Sequence, residues 1–115
     1  PVINGDGQQL RDYVHVRDIA RANIAAMDLT RSDIEGEIFN IGWGIGSSVE
    51  ELDRIIRGYV GTDLKPSYGP ALAEEILKVA LDPAKANTKL GWKAEIAFED
   101  GLGDLVEYHR SISSK

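Results

Sequence analysis

The spacing of apolar residues changes several times along this chain, and glycine or proline stands at most of the changes. Apolar residues alternate with polar ones over residues 10–16, whereas over residues 49–59 and 98–112 they recur every three or four positions. Alternation is typical of a strand, and the wider spacing is typical of a helix. No repeat, low-complexity tract or linker interrupts the pattern, so we predict a single mixed α/β segment over residues 1–115.

The N-terminal third carries signals for a hairpin, a helix and a further strand. Asn4 and Gly5 lie between two apolar runs, which is a strong short-range hairpin signal. Asp18 stands at the N-cap position of the helix that we predict to follow. Residues 37–41 have the composition of a short strand.

Capping signals predict the later helices. Ser48 and Glu51 fit a capping box, in which the serine hydroxyl accepts a hydrogen bond from the N3 amide. Asp82 directly before Pro83 predicts the start of a short helix. The apolar pattern predicts one more helix near the C-terminus, where we expect residues 111–115 to fray.

The charge balance and composition exclude several classes of protein. Thirteen Lys and Arg stand against 19 Asp and Glu, and this net charge of -6 opposes broad attraction to nucleic acid or to an anionic membrane. The absence of cysteine excludes a disulfide framework and a zinc–thiolate site. Because no run approaches the roughly 20 apolar residues of a membrane span and the first residues do not resemble a signal peptide, we expect a cytoplasmic protein. The start at Pro1 rather than Met indicates a piece of a longer protein.

Two features resemble chemical sites but are better explained by local structure. Glycines alternate from Gly42 to Gly46, yet the dinucleotide fingerprint G-x-G-x-x-G fails at Ser47, so we favour a tight strand-to-helix connection. His15 and His109 have no neighbour at metal-ligand spacing. No carboxylate pair is placed beside a nucleophile, so we predict neither a metal site nor a catalytic residue.

Arg11 remains open to two interpretations from the residues alone. Its planar guanidinium suits a phosphate, but most arginines face solvent, so it is either an anion site or a surface charge. Asn40, at the end of a predicted strand, is a turn residue on the same grounds.

Several short motifs together resemble one family over nearly the whole chain. They are Gly5-Asp6-Gly7-x-Gln9-x-Arg11-Asp12-Tyr13-Val14-His15-Val16-x-Asp18, Phe39-Asn40-Ile41-Gly42-x-Gly44, Asp82-x-x-Lys85-Ala86 and Leu90-Gly91-Trp92. The family is the extended short-chain dehydrogenase/reductases that act as NAD-dependent nucleotide-sugar epimerases and dehydratases.

The resemblance implies the C-terminal, substrate-binding part of such an enzyme, without its N-terminal Rossmann half. That half carries the G-x-x-G-x-x-G turn for NAD and a catalytic Y-x-x-x-K, and neither pattern occurs here. The resemblance therefore implies NAD in the full-length enzyme and no cofactor in this chain. By itself the segment is expected to be catalytically silent.

The resemblance also implies a site for a nucleotide-diphosphate sugar. In the family the arginine at the position of Arg11 contacts the diphosphate, and Asn40 matches a second contact of some members, with Gln9 and Tyr13 lining the same pocket. The chain departs from the family pattern at two positions. Leu72 stands where a second phosphate-binding arginine is expected, and Glu74 stands in place of a glycine. A lost charged hydrogen bond of this kind weakens ligand binding by about 1.5 to 3 kcal/mol.

In the family, residues 18–41 complete the edge of the missing Rossmann domain. Without that partner the segment would expose a strand edge and an apolar helix side, so we expect the chain to form a homo-oligomer or to repack. The leading hypothesis is a substrate-binding fragment of a nucleotide-sugar epimerase. The alternatives are a free-standing non-enzymatic interaction module from a truncated gene, and a fragment of a nucleotide-sugar 4,6-dehydratase or reductase.

Overall fold

Five helices and four very short strands make up the chain in a computed structural model that describes residues 1–113, Arg31 by its backbone alone. In chain order the elements are β1 Val2–Asn4, β2 Leu10–Arg11, α1 Val16–Met27, α2 Arg31–Ile34, β3 Ser47–Ser48, α3 Val49–Val60, β4 Ser67–Gly69, α4 Ala84–Leu90 and α5 Phe98–Ser113. The predicted mixed α/β class is confirmed.

The strands pair with distant segments rather than with each other along the chain. Strand β1 runs parallel to β4, with Ile3 opposite Tyr68, and β2 runs antiparallel to β3, with Arg11 opposite Ser47. The predicted hairpin around Gly5 is therefore wrong. The turn does form, but Gly5 donates its amide to the Gly69 carbonyl at 3.1 Å, so each flank of the turn finds a long-range partner.

Helix α1 begins at Val16, two residues before the predicted cap. His15 is the N-cap, and its Nδ1 accepts a hydrogen bond from the Arg17 amide at 3.1 Å. Asp18 lies inside the first turn and is fully buried, so its prediction as the cap is wrong. The strand predicted from the alternation over residues 10–16 ends at Arg11, and residues 12–15 form no regular structure.

Residues 37–41, predicted as a strand, form no strand in the described part of the chain. Phe39 and Ile41 instead pack on a small core formed by Ala22, Ala86 and Trp92. A strand needs a neighbour for its backbone groups, and these residues have no such neighbour here.

The helices with local capping signals were predicted well. Ser48 Oγ accepts from the Glu51 amide at 3.0 Å, as the capping box requires. Asp82 Oδ1 accepts from the Ala84 amide at 2.9 Å, although α4 begins one residue later than predicted. Helix α5 continues through Ser113, further than the fraying expected over 111–115, of which residues 114 and 115 lie outside the described part.

Two packing regions hold the helices. Around Trp92, α1 meets α4, and the indole Nε1 donates to the Asp18 carbonyl at 2.8 Å. Helix α3 packs on α5, where a Cβ on Gly103 would lie 2.9 Å from the Tyr59 ring. His109 is exposed on α5. Among residues 1–113, no helix combines the length and apolar character needed to cross a bilayer.

Candidate functional site

The guanidinium of Arg11 is fixed by acceptors on two sides. Its Nη1 donates to the carbonyls of Leu10 at 2.8 Å and Ile76 at 2.7 Å, and its Nη2 donates to Glu75 Oε1 at 3.0 Å. The side chain is 32% exposed, so solvent still reaches it. Because β2 pairs with β3 directly at Arg11, the backbone that carries this group is also held. The result is an oriented cation at the surface of an acidic chain.

Asp12, next to Arg11, joins three segments through backbone hydrogen bonds. Its Oδ1 accepts from the Trp43 amide at 2.7 Å, and its Oδ2 accepts from the amides of Gly44 at 2.9 Å and Leu81 at 3.0 Å. These bonds attach two segments to the end of β2: the loop after Gly42, and the residues that precede α4. Analysis of the sequence missed this residue because its partners are 31 to 69 residues away.

The glycine loop makes room for the protein's own side chains. A Cβ on Gly42 would lie 2.7 Å from Asp12 Oδ2, and a Cβ on Gly46 would lie 3.1 Å from Leu10 Cβ. Gly44 has a φ of +78°. Since Asp12 already occupies the amides that a pyrophosphate would need, these residues do not fit a dinucleotide. The glycines thus make a close approach of the loop to Asp12 and Leu10 possible, but the strand that was predicted before the loop does not form in the described chain.

Tyr13 lies within electrostatic range of Arg11. Burial raises the pKa of its phenol, and the charge of Arg11 lowers that pKa in part. The net rise keeps the hydroxyl protonated at neutral pH, where it is available as a donor. The ring stacks on Phe98 with centroids 4.9 Å apart and planes 16° apart.

Two open cavities meet at this aromatic pair. One, of about 490 Å³, is lined by Tyr13, Phe98, His15, Asp104 and Tyr108 among others. The second, of about 230 Å³, lies between the same two rings and the side of Trp43. The stacked rings therefore separate two concave surfaces, and Arg11 is not among the residues that line either of them.

The other two predicted site residues have different surroundings. Gln9 is buried, and its Nε2 donates to the Asn4 carbonyl at 3.2 Å, which holds the glycine turn closed. Asn40 is exposed and donates to the Asp82 carbonyl at 3.3 Å, at the approach to α4. Tyr13 thus lies within electrostatic range of Arg11, while Gln9 and Asn40 contact other segments. The ligand contacts of all four residues stay predictions.

The segment that departs from the family pattern lies beside Arg11. Leu72, in place of the expected arginine, is exposed. Glu74, in place of the expected glycine, has a φ of +65° and is the one non-glycine residue with a positive φ in the described chain. The backbone thus keeps a conformation that favours glycine although the glycine is absent.

Asp18 is a second carboxylate with several hydrogen-bond donors, and it is fully buried. It accepts hydrogen bonds from the amides of Glu95 at 3.0 Å and Ile96 at 3.1 Å and from Arg21 at 2.6 Å. Burial alone would raise the pKa of Asp18, but these donors together hold that pKa below its ordinary value. The cluster anchors the loop before α5 to α1, which is a structural task.

No site for a metal ion is present among residues 1–113. The described His, Asp and Glu side chains form no group of three or more that could hold a metal ion. His15 approaches one carboxylate, with its Nε2 at 3.8 Å from Asp104 Oδ2. A single His–Asp contact of this length is not a coordination site.

Comparison with known proteins points in one direction. Residues 1–42 match the NAD-dependent epimerase/dehydratase family. The chain is 34% identical over 111 residues to the UDP-glucose 4-epimerase of Mycolicibacterium smegmatis, an alignment that covers 96% of this chain and 34% of that protein.

Two solved structures share both fold and sequence with the chain. The UDP-glucose 4-epimerase of Thermotoga maritima with UDP-glucose is 40% identical with a TM-score of 0.90, over 97% of this chain and 35% of that one. The UDP-glucuronic acid 4-epimerase of Bacillus cereus, in complex with UDP-glucuronic acid and NAD, is 27% identical with a TM-score of 0.88, over 96% of this chain and 35% of that one. The chain spans about a third of the length of these proteins.

Proposed function

This chain belongs to the NAD-dependent epimerase/dehydratase family, and from that membership we propose that it is the C-terminal part of a UDP-sugar 4-epimerase in which Arg11 holds the nucleotide diphosphate. The chain has the fold of the corresponding third of enzymes solved with UDP-sugars. The sugar-nucleotide ligand is carried over from those enzymes as part of the proposal.

The observation that carries the proposal is the fixed, partly exposed guanidinium of Arg11. Two neighbouring phosphates need a donor of planar geometry, and a chain with net charge -6 can attract them only through such a local site. Tyr13 supports the assignment, because it lies within electrostatic range of Arg11 and its protonated hydroxyl can donate to a phosphate or a sugar oxygen.

Asn40 and Gln9 take different parts in this proposal. Asn40 is exposed at the loop rim, and its amide is able to turn from the Asp82 carbonyl to a ligand. Gln9 supports the backbone of the glycine turn, so we assign it to the shape of the pocket rather than to direct contact.

We place NAD binding and the chemical step outside this chain. The glycine loop is filled by Asp12 and Leu10, and no tyrosine of the chain is followed four residues later by lysine. The whole enzyme would therefore combine this segment with a nucleotide-binding half that supplies the cofactor and the catalytic tyrosine. Location in the cytoplasm stays a prediction.

The exposed apolar side chains near residues 18–41 support the proposed contact with that missing half. Met27 and Ile38 are each 82% exposed, and Val16 and Ile24 are also largely exposed. Residues 37–41 form no strand here and include the exposed Ile38, and we propose that they meet the edge of a sheet in another domain. In isolation we expect this surface to pair with a second copy of the chain.

Leu72 favours one alternative, in which the segment is a non-enzymatic interaction module. With an apolar side chain at the position of the expected arginine, a sugar nucleotide would be held by one arginine alone. Reading the coding DNA upstream of Pro1 separates the two cases. An open frame with the glycine-rich turn and Y-x-x-x-K supports an enzyme, of the epimerase, dehydratase or reductase type, and a start codon close to Pro1 supports the module.

Calorimetric titration of UDP-glucose and dTDP-glucose tests the binding assignment. We expect Arg11→Ala to weaken binding about tenfold or more, as the loss of a charged hydrogen-bonding partner predicts. Arg54→Ala is the control, because Arg54 lies on α3 and pairs only with Glu51 at 3.9 Å among its recorded ion pairs. Equal heats in the wild type and Arg11→Ala would remove Arg11 from the site.

A further inference from the structure

The segment between β4 and α4 is attached to β2 in two different ways. Residues 77–79 are held by backbone bonds, in which Leu10 donates to the Leu77 carbonyl at 2.8 Å and Val79 donates to the Leu10 carbonyl at 3.1 Å. The preceding part, residues 70–76, contacts β2 through the Arg11 side chain, which binds the Ile76 carbonyl and the Glu75 carboxylate. Arg11 is therefore the point at which this part is fastened.

Glu75 is turned inward while its apolar neighbours are turned outward. The side chain of Glu75 is only 20% exposed, whereas Leu72, Ile76 and Leu77 are each more than half exposed. This is the reverse of the usual distribution of charged and apolar residues. A specific attraction must hold the carboxylate in place, and the recorded one is its 3.0 Å contact with Arg11.

The backbone next to this contact is strained. Glu74, directly before Glu75, has a φ of +65°, which a residue with a Cβ adopts only when its surroundings enforce it. The contacts next to it are those of Arg11 with the Glu75 carboxylate and the Ile76 carbonyl. Release of Glu75 would let Glu74 return to a common conformation.

We propose that Glu75 is an internal competitor for Arg11, which a diphosphate must displace on binding, and that its displacement frees residues 70–76. The inference rests on the proposed function, because it takes Arg11 as the diphosphate site. A carboxylate and a phosphate oxygen compete for the same guanidinium N–H groups. Glu75 thus sets the affinity of the site and couples ligand binding to the movement of one surface segment.

Inorganic pyrophosphate is the probe, because it has neither a sugar nor a base that Glu75 could contact. Calorimetric titration compares the wild type with Glu75→Gln, Glu74→Gln and Arg11→Ala. Glu74→Gln is the matched control, since it removes the same charge one residue away from an exposed position. We expect Glu75→Gln to bind about threefold more tightly than Glu74→Gln at low salt, and this difference to shrink as salt screens the ion pair.

The outcomes separate this inference from the function on which it rests. If pyrophosphate binds through Arg11 but Glu75→Gln binds no more tightly than Glu74→Gln, Glu75 is not a competitor and the diphosphate site stands. If no protein that retains Arg11 binds pyrophosphate, both proposals fail. Glu75→Asp, whose shorter side chain draws the carboxylate away from Arg11, is expected to fall between wild type and Glu75→Gln.

NMR relaxation gives a second readout on the wild type. Saturation with pyrophosphate is expected to increase the backbone motion of residues 71–76 and to leave Val79 unchanged, because the Val79 amide keeps its bond to the Leu10 carbonyl. Reduced motion over residues 71–76 would show that the ligand holds this segment more tightly, which contradicts displacement of Glu75.

Discussion

Arg11, the last residue of β2, and Asp12, which follows it, have different roles. Arg11 presents donors that a ligand can compete for, whereas Asp12 accepts hydrogen bonds from the amides of Trp43, Gly44 and Leu81. A carboxylate that accepts several backbone amides orders the segments that carry them. The position of Arg11 is therefore a consequence of the fixed surroundings that Asp12 provides.

Asp12→Ala should lower the free energy of unfolding by about 2 to 3 kcal/mol, because it leaves three backbone amides without their charged acceptor. Urea denaturation followed by tryptophan fluorescence measures the change. Asp63→Ala, at an exposed position, is the control and should change stability by less than about 0.5 kcal/mol. A fall no larger than that of the control would show that the Asp12 bonds do not support the fold.

Asp18 should contribute stability that depends on pH. Its pKa in the folded chain is lowered, so the ionised form favours folding, and this contribution is complete above the ordinary carboxyl pKa of about 3.9. It is lost as pH falls through the lower folded-state pKa. In denaturation series from pH 6 to pH 2, the stability advantage of the wild type over Asp18→Asn should therefore shrink at the acid end. An advantage that stays constant over that range would contradict the assigned direction.

Glu37 connects residues 37–41 to α4 through ion pairs. Its carboxylate pairs with Lys85 and Lys89, and hydrogen bonds from these two side chains lower its pKa from 4.5 to about 2. We expect carbonyl-detected NMR titration to give a value near 2 for Glu37 and a clearly higher value in Lys85→Ala. A pKa that is the same in both proteins would mean that the pair does not form in solution.

At the scale of elements, the features that were predicted correctly are those with a local cause. Ser48 caps α3 by accepting from an amide three residues later, and Asp82 accepts from an amide two residues later at the start of α4, although the N-cap of α4 is Pro83. The strands were predicted wrongly because their partners are distant, as for Ile3 opposite Tyr68. Asp18 was taken for a cap for the same reason, since the donors that bury it, at Glu95 and Ile96, follow 77 and 78 residues later.

The sequence pointed to candidate site residues, whose ligand contacts stay predictions. It did not indicate the contacts between protein residues that hold them in place. The motif around Arg11 identified the guanidinium and Tyr13, but nothing in the sequence indicates that Glu75 would pair with Arg11 across 64 residues. Glu74 was recognised as a departure from the family's glycine, whereas its positive φ is visible only in the structure.

Glu74→Gly should stabilise the chain by about 0.5 to 1 kcal/mol, because glycine adopts the observed φ of +65° without steric cost. The gain is smaller than the full strain, since glycine also loses more backbone entropy on folding. Thermal denaturation compares it with Glu74→Ala, which keeps the Cβ and should give no gain. A gain in both variants would assign the effect to charge rather than to backbone conformation.

At the scale of the whole molecule, the chain leaves a large apolar surface uncovered. Met27 and Ile38 are almost fully exposed, and the extended residues between α2 and β3 lack a strand neighbour in the described structure. The relatives are about three times as long. We propose that residues outside this segment cover this surface in the whole protein.

Light scattering at increasing concentration tests the uncovered surface. We expect self-association of the wild type, and we expect Met27→Lys together with Ile38→Lys to shift the chain toward monomer, because charge on this surface disfavours its burial. Ile45→Lys is the control, since it lies in the glycine loop away from α1 and is also exposed. A wild type that stays strictly monomeric at high concentration would contradict the prediction.

The central claim, that Arg11 holds the diphosphate of a sugar nucleotide, is tested most directly by NMR titration of the labelled chain with UDP-glucose, observing the arginine Nε–H signals. We expect the Arg11 signal to shift in a saturable manner and the Arg54 signal to stay unchanged. We also expect accompanying shifts at Tyr13 and over residues 70–76. Saturable shifts that leave Arg11 unchanged, or the absence of any saturable shift at high UDP-glucose concentration, would contradict it.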